Sequence, residues 1–316
     1  MAASDKVFYF FLYAFFVLFA AVMLYPFIRM MAYSFNKLDF QSKSYAYSYY
    51  DSKEAVSDGI WFLPRKWTLE NYKRLIVPEW WSWEHGIEIH VYYDFYRPIA
   101  VTAGRTVIGT FTGLTANALL AFILSRKKFL FRSGLSLFWI IAAFLQGGFF
   151  TLIPTYILYR YMHLNESFWV YIIPGMVSVF YVMIIRTYMR NIPPSLEETA
   201  QLEGAGYMRI FWTVISPVCK PVYAATAFFI AVYHWNSWFD TLLYNRFESR
   251  YRTLMFTLMC FYNEIPLPEG VVASRAPTPS TIKAAATIIA ITPVIIAYPF
   301  FQKYFVTGLT ISGVKE

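Results

Sequence analysis

The stretch "FYFFLYAFFVLFAAVMLYPFIRMM", residues 8–31, carries a single charge, Arg29. A hydrocarbon core of about 30 Å is crossed by roughly 20 apolar residues in a helix, so this run is long enough to span it. It is too long for the apolar stretch of a cleaved signal, and no small-residue cleavage pattern follows it, so it reads as a retained span. The rest of the chain agrees with that reading. Of its 316 residues, 58% are hydrophobic and 21% aromatic, only 15% are charged, and the mean hydropathy is +0.43. A water-soluble domain has no interior large enough to hide that much apolar surface.

Five further runs have comparable length: Pro98 to Ser125, Leu135 to Tyr161, Phe168 to Met189, Val218 to Tyr244 and Ile282 to Phe305. The expectation is an all-α polytopic membrane protein with six transmembrane helices. It divides into a first span (1–36), an extended extracytoplasmic loop (37–97) and a core of five spans (98–316). Arg126, Lys127, Lys128 and Arg132 crowd the short link after the second span, which places that link in the cytoplasm. Six spans then put both termini, and the polar segment at 195–206, on the same side. The formal charge of +8 is therefore a topology signal rather than a nucleic-acid footprint.

The outer loop changes character along its length. "QSKSYAYSYYDSKEAVSDG" (41–59) is polar and lacks helical period, so it reads as irregular. In "WTLENYKRLI" (67–76), Thr68 can cap a short helix with Leu69, Tyr72 and Leu75 at helical spacing. The following Trp- and Tyr-rich stretch suits a membrane interface, and its Trp80, Trp81 and Trp83 could also stack on sugars. Glu84, His85, Glu88 and His90 match no metal-ligand signature. Cys219 and Cys260 suggest neither a disulfide framework nor a metal site. Phosphate-loop, nucleophile-elbow and zinc-protease motifs are absent from the sequence, so no catalytic residue is assigned.

"SLEETAQLEGAG" (195–206) is polar and acidic between two strongly apolar runs. Pro193 and Pro194 stop the preceding helix, Ser195 and Glu198 have capping-box spacing, and Gly204 and Gly206 end the short helix that results. A second short helix, "YMRIFWTVISP" (207–217), leads back to the membrane at Pro217 and Pro221. Thr199, Ala200, Gly204 and Ala205 leave a low-relief surface, and Glu198 and Glu203 can meet basic partners. Local physics equally allows a merely capped loop.

This segment resembles the Glu-Ala-Ala and acidic-Gly-Ala pattern, with a proline about a dozen residues later, of permease subunits in bacterial ABC importers. Other family segments stand around it in order: "WTLENYKRL" (67–75), "AFILSRKKFLFR" (121–132), "LIPTYILYRYMHLNES" (152–167), "WNSWFDTLLY" (235–244) and the C-terminal "FVTGLTISGVKE". Together they resemble the carbohydrate-type, MalG-like permeases over nearly the whole chain. The resemblance implies that 195–206 is a coupling helix docked on a cytoplasmic ATPase, with Glu198, Ala200, Gly204 and Ala205 at the matching positions. Thr199 stands where an alanine is usual and Glu203 where an aspartate is usual, and the first outer loop is longer than the family's.

The resemblance also implies partners: a second permease subunit, two ATPase subunits that hold ATP and magnesium, an extracytoplasmic substrate-binding protein, a glycan substrate and membrane lipid. No cofactor is expected on this chain itself. The setting implied is the bacterial inner membrane.

Polar side chains at membrane depth are costly and tend to face protein or a water-filled path. Asn117, Gln146, His234, Trp235, Asn236 and Trp238 are the candidates for a translocation path, with Arg105, Arg186 and Asp240 also in apolar runs. Each has a packing or snorkelling alternative. Two other classes compete. An ion-coupled secondary transporter would need mid-membrane carboxylates beyond Asp240, and a membrane enzyme acting on a glycan would need a convergent acid–base set.

Overall fold

The computed structural model describes residues 3–36, 67–76, 80–84, 87–91, 94–126, 132–146, 149–263 and 280–313. The expectation for 41–59 lies outside them. The chain divides into two compact units: Met1–Tyr96 with Leu258–Thr292, and Arg97–Thr257 with Pro293–Glu316.

In the first unit, α1 (Ala3–Ser34) presents almost every large apolar side chain from Val7 to Met31 to its surroundings. A helix apolar on all sides requires an apolar solvent. Its C-terminal carbonyls are satisfied from α2 (Glu70–Ile76): Asn71 Nδ2 donates to the carbonyls of Ser34 and Asn36, both at 2.9 Å, and the Tyr72 hydroxyl donates to Ser34 Oγ at 2.7 Å. Burial raises the Tyr72 pKa above its ordinary value, against the lowering effect of that hydrogen bond. Thr68 Oγ1 accepts from the Glu70 amide at 3.1 Å, the cap expected from its position.

An antiparallel hairpin follows, β1 (Trp80–Glu84) with β2 (Ile87–Val91), pairing Trp81 with His90 and Trp83 with Glu88. Among the described residues this hairpin is a local addition to an otherwise helical chain, whose class remains all-α. "IEIHV" alternates β-branched and polar residues, a strand signal that the aromatic density of the neighbouring stretch obscured.

The second unit starts from α3 (Tyr96–Ser125), whose inward stripe includes Thr102, Arg105, Gly109, Gly113, Asn117, Ala121 and Leu124 at three- and four-residue spacing. Then come α4 (Arg132–Gln146), α5 (Phe149–Tyr161), a single tight turn at Phe168–Tyr171 and α6 (Val179–Arg190). At 12 residues α6 is about 18 Å long, and the stretch from Phe168 to Met189 is not one continuous helix. α7 (Pro194–Leu202) and α8 (Tyr207–Val218) precede α9 (Lys220–Asn236), α10 (Phe239–Tyr244) and α11 (Leu254–Tyr262). Last comes α12 (Ser280–Gly313); α11 from Leu258 onward and α12 as far as Thr292 belong to the first unit. α8 and α9 meet at 85° around Cys219. Among the described residues three helices are long and apolar enough to cross a membrane, or four if the bent pair is one span.

Candidate docking site and membrane-depth polar cluster

The acidic segment is built from both ends by backbone chemistry. The helix begins at Pro194, whose missing amide is no loss in a first turn. Ser195 is thus inside the helix and caps nothing: the expected capping box is not formed, because the helix starts two residues earlier than the Ser–Glu spacing assumes. At the other end Gly204 has φ +79°. The Ala205 amide returns to the Ala200 carbonyl at 3.0 Å and the Gly204 amide to that of Gln201 at 2.9 Å. These two bonds form a Schellman closure, which needs a left-handed residue where Gly204 stands. Gly206, with φ −71°, carries no such requirement.

α7 is fixed to its own chain on one side. Ala200 is buried in an apolar cluster with Phe122, Ile210, Phe211 and Ile215, and Ala205 packs against it. Arg126, just beyond α3, forms an ion pair with Glu197 and lies over the Phe122 ring, 4.7 Å from its centroid. Gln201 Nε2 donates to the other Glu197 oxygen at 3.3 Å. Phe122 in turn meets Phe211 at 5.3 Å. Phe211–Ile215 is a π-turn, a widening that side-chain patterns do not reveal.

The opposite side is open. Glu198, Thr199, Glu203 and Gly204 are exposed, Ala205 is half-buried, and Leu202 is 90% exposed. Leu202 is the residue that sequence reasoning passed over. Its signal is a leucine on the polar face of a short acidic helix. An isolated apolar knob ringed by carboxylates can enter an apolar pocket with a basic rim on another protein. Ala200 belongs to the internal side, so the open face is Glu198, Thr199, Leu202, Glu203 and Gly204.

The residues expected to line a path separate into two groups. Asn117 is buried and satisfied: its amide donates to the carbonyls of Gly113 (2.7 Å) and Met176 (3.0 Å), and its oxygen accepts from the Ser178 amide (2.9 Å). It ties α3 to the start of α6. His234 and Trp235 are buried within the chain, whereas Asn236 and Trp238 are exposed. Gln146 ends α4, and its side chain lies outside the described residues.

Arg105 and Asp240, both noted from sequence, pair with one another. Arg105 is 1% exposed; it forms an ion pair with Asp240, with Nη1 at 3.2 Å from Oδ1, and its Nε lies 3.4 Å from His234 Nδ1. Its guanidinium sits 4.6 Å from the Tyr171 ring centroid. A charge at this depth is tolerated because it is paired and covered. Gly109 makes room for the imidazole: a Cβ there would stand 2.4 Å from His234 Nε2. Among the described residues no group of three His, Cys, Asp or Glu side chains is placed to hold a metal ion.

No protein-family model matches the chain. It is similar to the polygalacturonan/rhamnogalacturonan transport system permease protein YtcP of Bacillus subtilis (strain 168), 27% identical over 315 residues, with 99% of each chain covered. Protein LplC of the same organism is 28% identical over 270 residues, covering 85% of this chain and 86% of that one. Among solved structures, a chain from a bacterial ABC transporter involved in the import of the acidic polysaccharide alginate superimposes with a TM-score of 0.77 at 24% identity, covering 96% of this chain and 99% of that one.

The apolar helices, the fold and the end-to-end likeness define the class: a membrane protein with the architecture of an ABC importer permease. Within that architecture, its end-to-end likeness is to YtcP, a transport system permease protein, and over most of its length to LplC.

Proposed function

We propose that this chain is one of two permease subunits in an importer that moves an oligosaccharide, or a fragment of a polysaccharide, into the cytoplasm by alternating access. The observation that carries the coupling part is the two-sided α7 segment, braced inside by Glu197 and Ala200 and open outside at Glu198, Leu202 and Glu203. Such an element can carry force only if its far side is held by another protein. In this reading that protein is an ATPase subunit, which binds ATP and magnesium. ATP-driven closure favours one permease state through the contact at 195–206.

The carbohydrate reading rests on a relative, YtcP, named for polygalacturonan and rhamnogalacturonan transport, joined to a chain rich in aromatic side chains. An extracytoplasmic binding protein delivers the glycan, and a second permease subunit completes the path. Six spans in the bacterial inner membrane, with both termini cytoplasmic, fit the basic link at 126–132. A division into first span (1–36), outer loop (37–97) and permease core (98–316) goes with this arrangement.

The test is ATP hydrolysis by the copurified complex in lipid, with and without glycan-loaded binding protein, for the native chain and for Glu198→Ala and Gly204→Asp. Stimulation that is lost in both variants, with weaker assembly, supports coupling through this segment. Unchanged stimulation in both removes it.

A further inference from the structure

Five tyrosines of the second unit converge beside the Arg105–Asp240 pair. Tyr156 and Tyr159 come from α5, Tyr181 from α6, Tyr233 from α9 and Tyr244 from α10. Tyr156 stacks on Tyr244 with ring centroids 5.9 Å apart and planes within 12°, and Tyr159 meets Tyr244 at 5.5 Å. Tyr233 lies close enough to interact electrostatically with Tyr159, Tyr181 and Asp240, and Asp240 with Tyr244. Tyr233 is exposed and the other four are half-buried.

The depth of Tyr233 and Tyr181 sets the group apart from an ordinary interfacial belt. His234, the neighbour of Tyr233, packs on Gly109, near the middle of the 30-residue α3. Tyr181 stands just beyond Ser178, which is tied to Asn117 of the same helix. This level is the membrane interior, where an unpaired hydroxyl facing lipid is costly. None of the five hydroxyls has a hydrogen-bond partner among the described residues, and none is among the polar atoms sealed in the interior without one. Open phenols at that depth on Tyr181 and Tyr233, with those of Tyr156, Tyr159 and Tyr244 beside them, call for a water-filled space and a ligand rich in hydroxyls.

We propose that Tyr156, Tyr159, Tyr181, Tyr233 and Tyr244, with Asp240, form the glycan-contacting wall of this subunit's path. Aromatic faces pack against the C–H faces of pyranose rings, the phenols donate to and accept from sugar hydroxyls, and the Asp240 carboxylate accepts from them. Arg105 is a positioning residue: buried itself, it fixes the Asp240 carboxylate, which is 20% exposed, and cancels its charge. The Arg105 guanidinium at this wall is already committed to Asp240, so recognition here is of neutral ring faces and hydroxyls. This wall rests on the glycan reading of the preceding section.

The test is cysteine accessibility in the whole complex in lipid. Tyr159→Cys and Tyr233→Cys are compared with Phe111→Cys, whose native side chain is 73% exposed on α3. The reagent is a charged, membrane-impermeant methanethiosulfonate, and Cys219 and Cys260 are replaced by serine. The glycan probes are oligogalacturonides and their carboxyl-reduced forms. The expected result is modification at 159 and 233 on the order of tenfold faster than at 111, because lipid excludes a charged reagent, and slowed by both probes alike. Rates equal to that of Phe111→Cys overturn the water-filled wall; fast modification that neither probe slows overturns the glycan contact, and protection by the acidic probe alone overturns recognition through neutral hydroxyls. ATP hydrolysis by the same complexes, stimulated or not, reports on the importer reading separately.

Discussion

Arg126, the residue after the last turn of α3, and Glu197, in the first turn of α7, form an ion pair across 71 residues of sequence. Both are mostly buried, so the contact falls between surface pairs and fully enclosed ones. Losing either partner costs about 1–3 kcal/mol on that scale. Arg126→Ala and Glu197→Ala are expected to lower the thermal unfolding midpoint and to reduce substrate-stimulated ATP hydrolysis more than basal hydrolysis. The exchanged pair Arg126→Glu with Glu197→Arg should recover much of both, measured on the complex in lipid.

Gly204 and Gly206 look equivalent in sequence and differ in the structure. Only Gly204 is left-handed, and a Cβ at either position meets no atom within 4 Å. The cost of a side chain at Gly204 is therefore conformational, about 1–2 kcal/mol, while Gly206→Ala should be nearly neutral. Thermal unfolding of the two alanine variants measures the contrast directly.

Gly109 and His234 occupy one space. Gly109→Ala forces the imidazole away from Arg105, and overpacking of this kind costs about 1–3 kcal/mol. In a His234→Ala background the space is open and the same substitution should cost much less. Unfolding of the four proteins of this cycle yields the coupling, and equal costs in both backgrounds would show that the imidazole is not the obstacle.

How much of this could be read beforehand follows from the kind of signal each element leaves. α1 and α3 are legible because apolar length by itself calls for a membrane. The start of α7 lies two residues before the position that its Ser–Glu spacing implies, because Pro194 serves as a first-turn residue as well as a stop. The hairpin was missed because Trp80, Trp81 and Trp83 drew attention to composition rather than to the alternation in "IEIHV". Arg105 and Asp240 were noted separately as intramembrane charges, but pairing across 135 residues has no local trace. Asn117 and His234 read as pathway residues because polarity at depth does not distinguish a water-filled face from a satisfied packing contact.

Leu202 allows docking to be separated from folding. Its side chain touches almost nothing in its own chain, being 90% exposed at the end of α7. Leu202→Asp should therefore leave the unfolding midpoint of the isolated permease within about 0.5 kcal/mol of native. If the leucine enters an apolar pocket of an ATPase subunit, the same substitution buries an unpaired charge there and adds a carboxylate beside Glu203, costing about 2 kcal/mol or more of association. Co-purification of the ATPase should fall accordingly, with Leu202→Met retaining it. Ala200→Asp serves as the contrasting case: Ala200 lies in the internal cluster, so that variant should lose stability and docking together. Loss of docking without loss of stability at Leu202, set against loss of both at Ala200, is the pattern that a two-sided helix requires; stable association of Leu202→Asp with the ATPase would move the contact elsewhere on the chain.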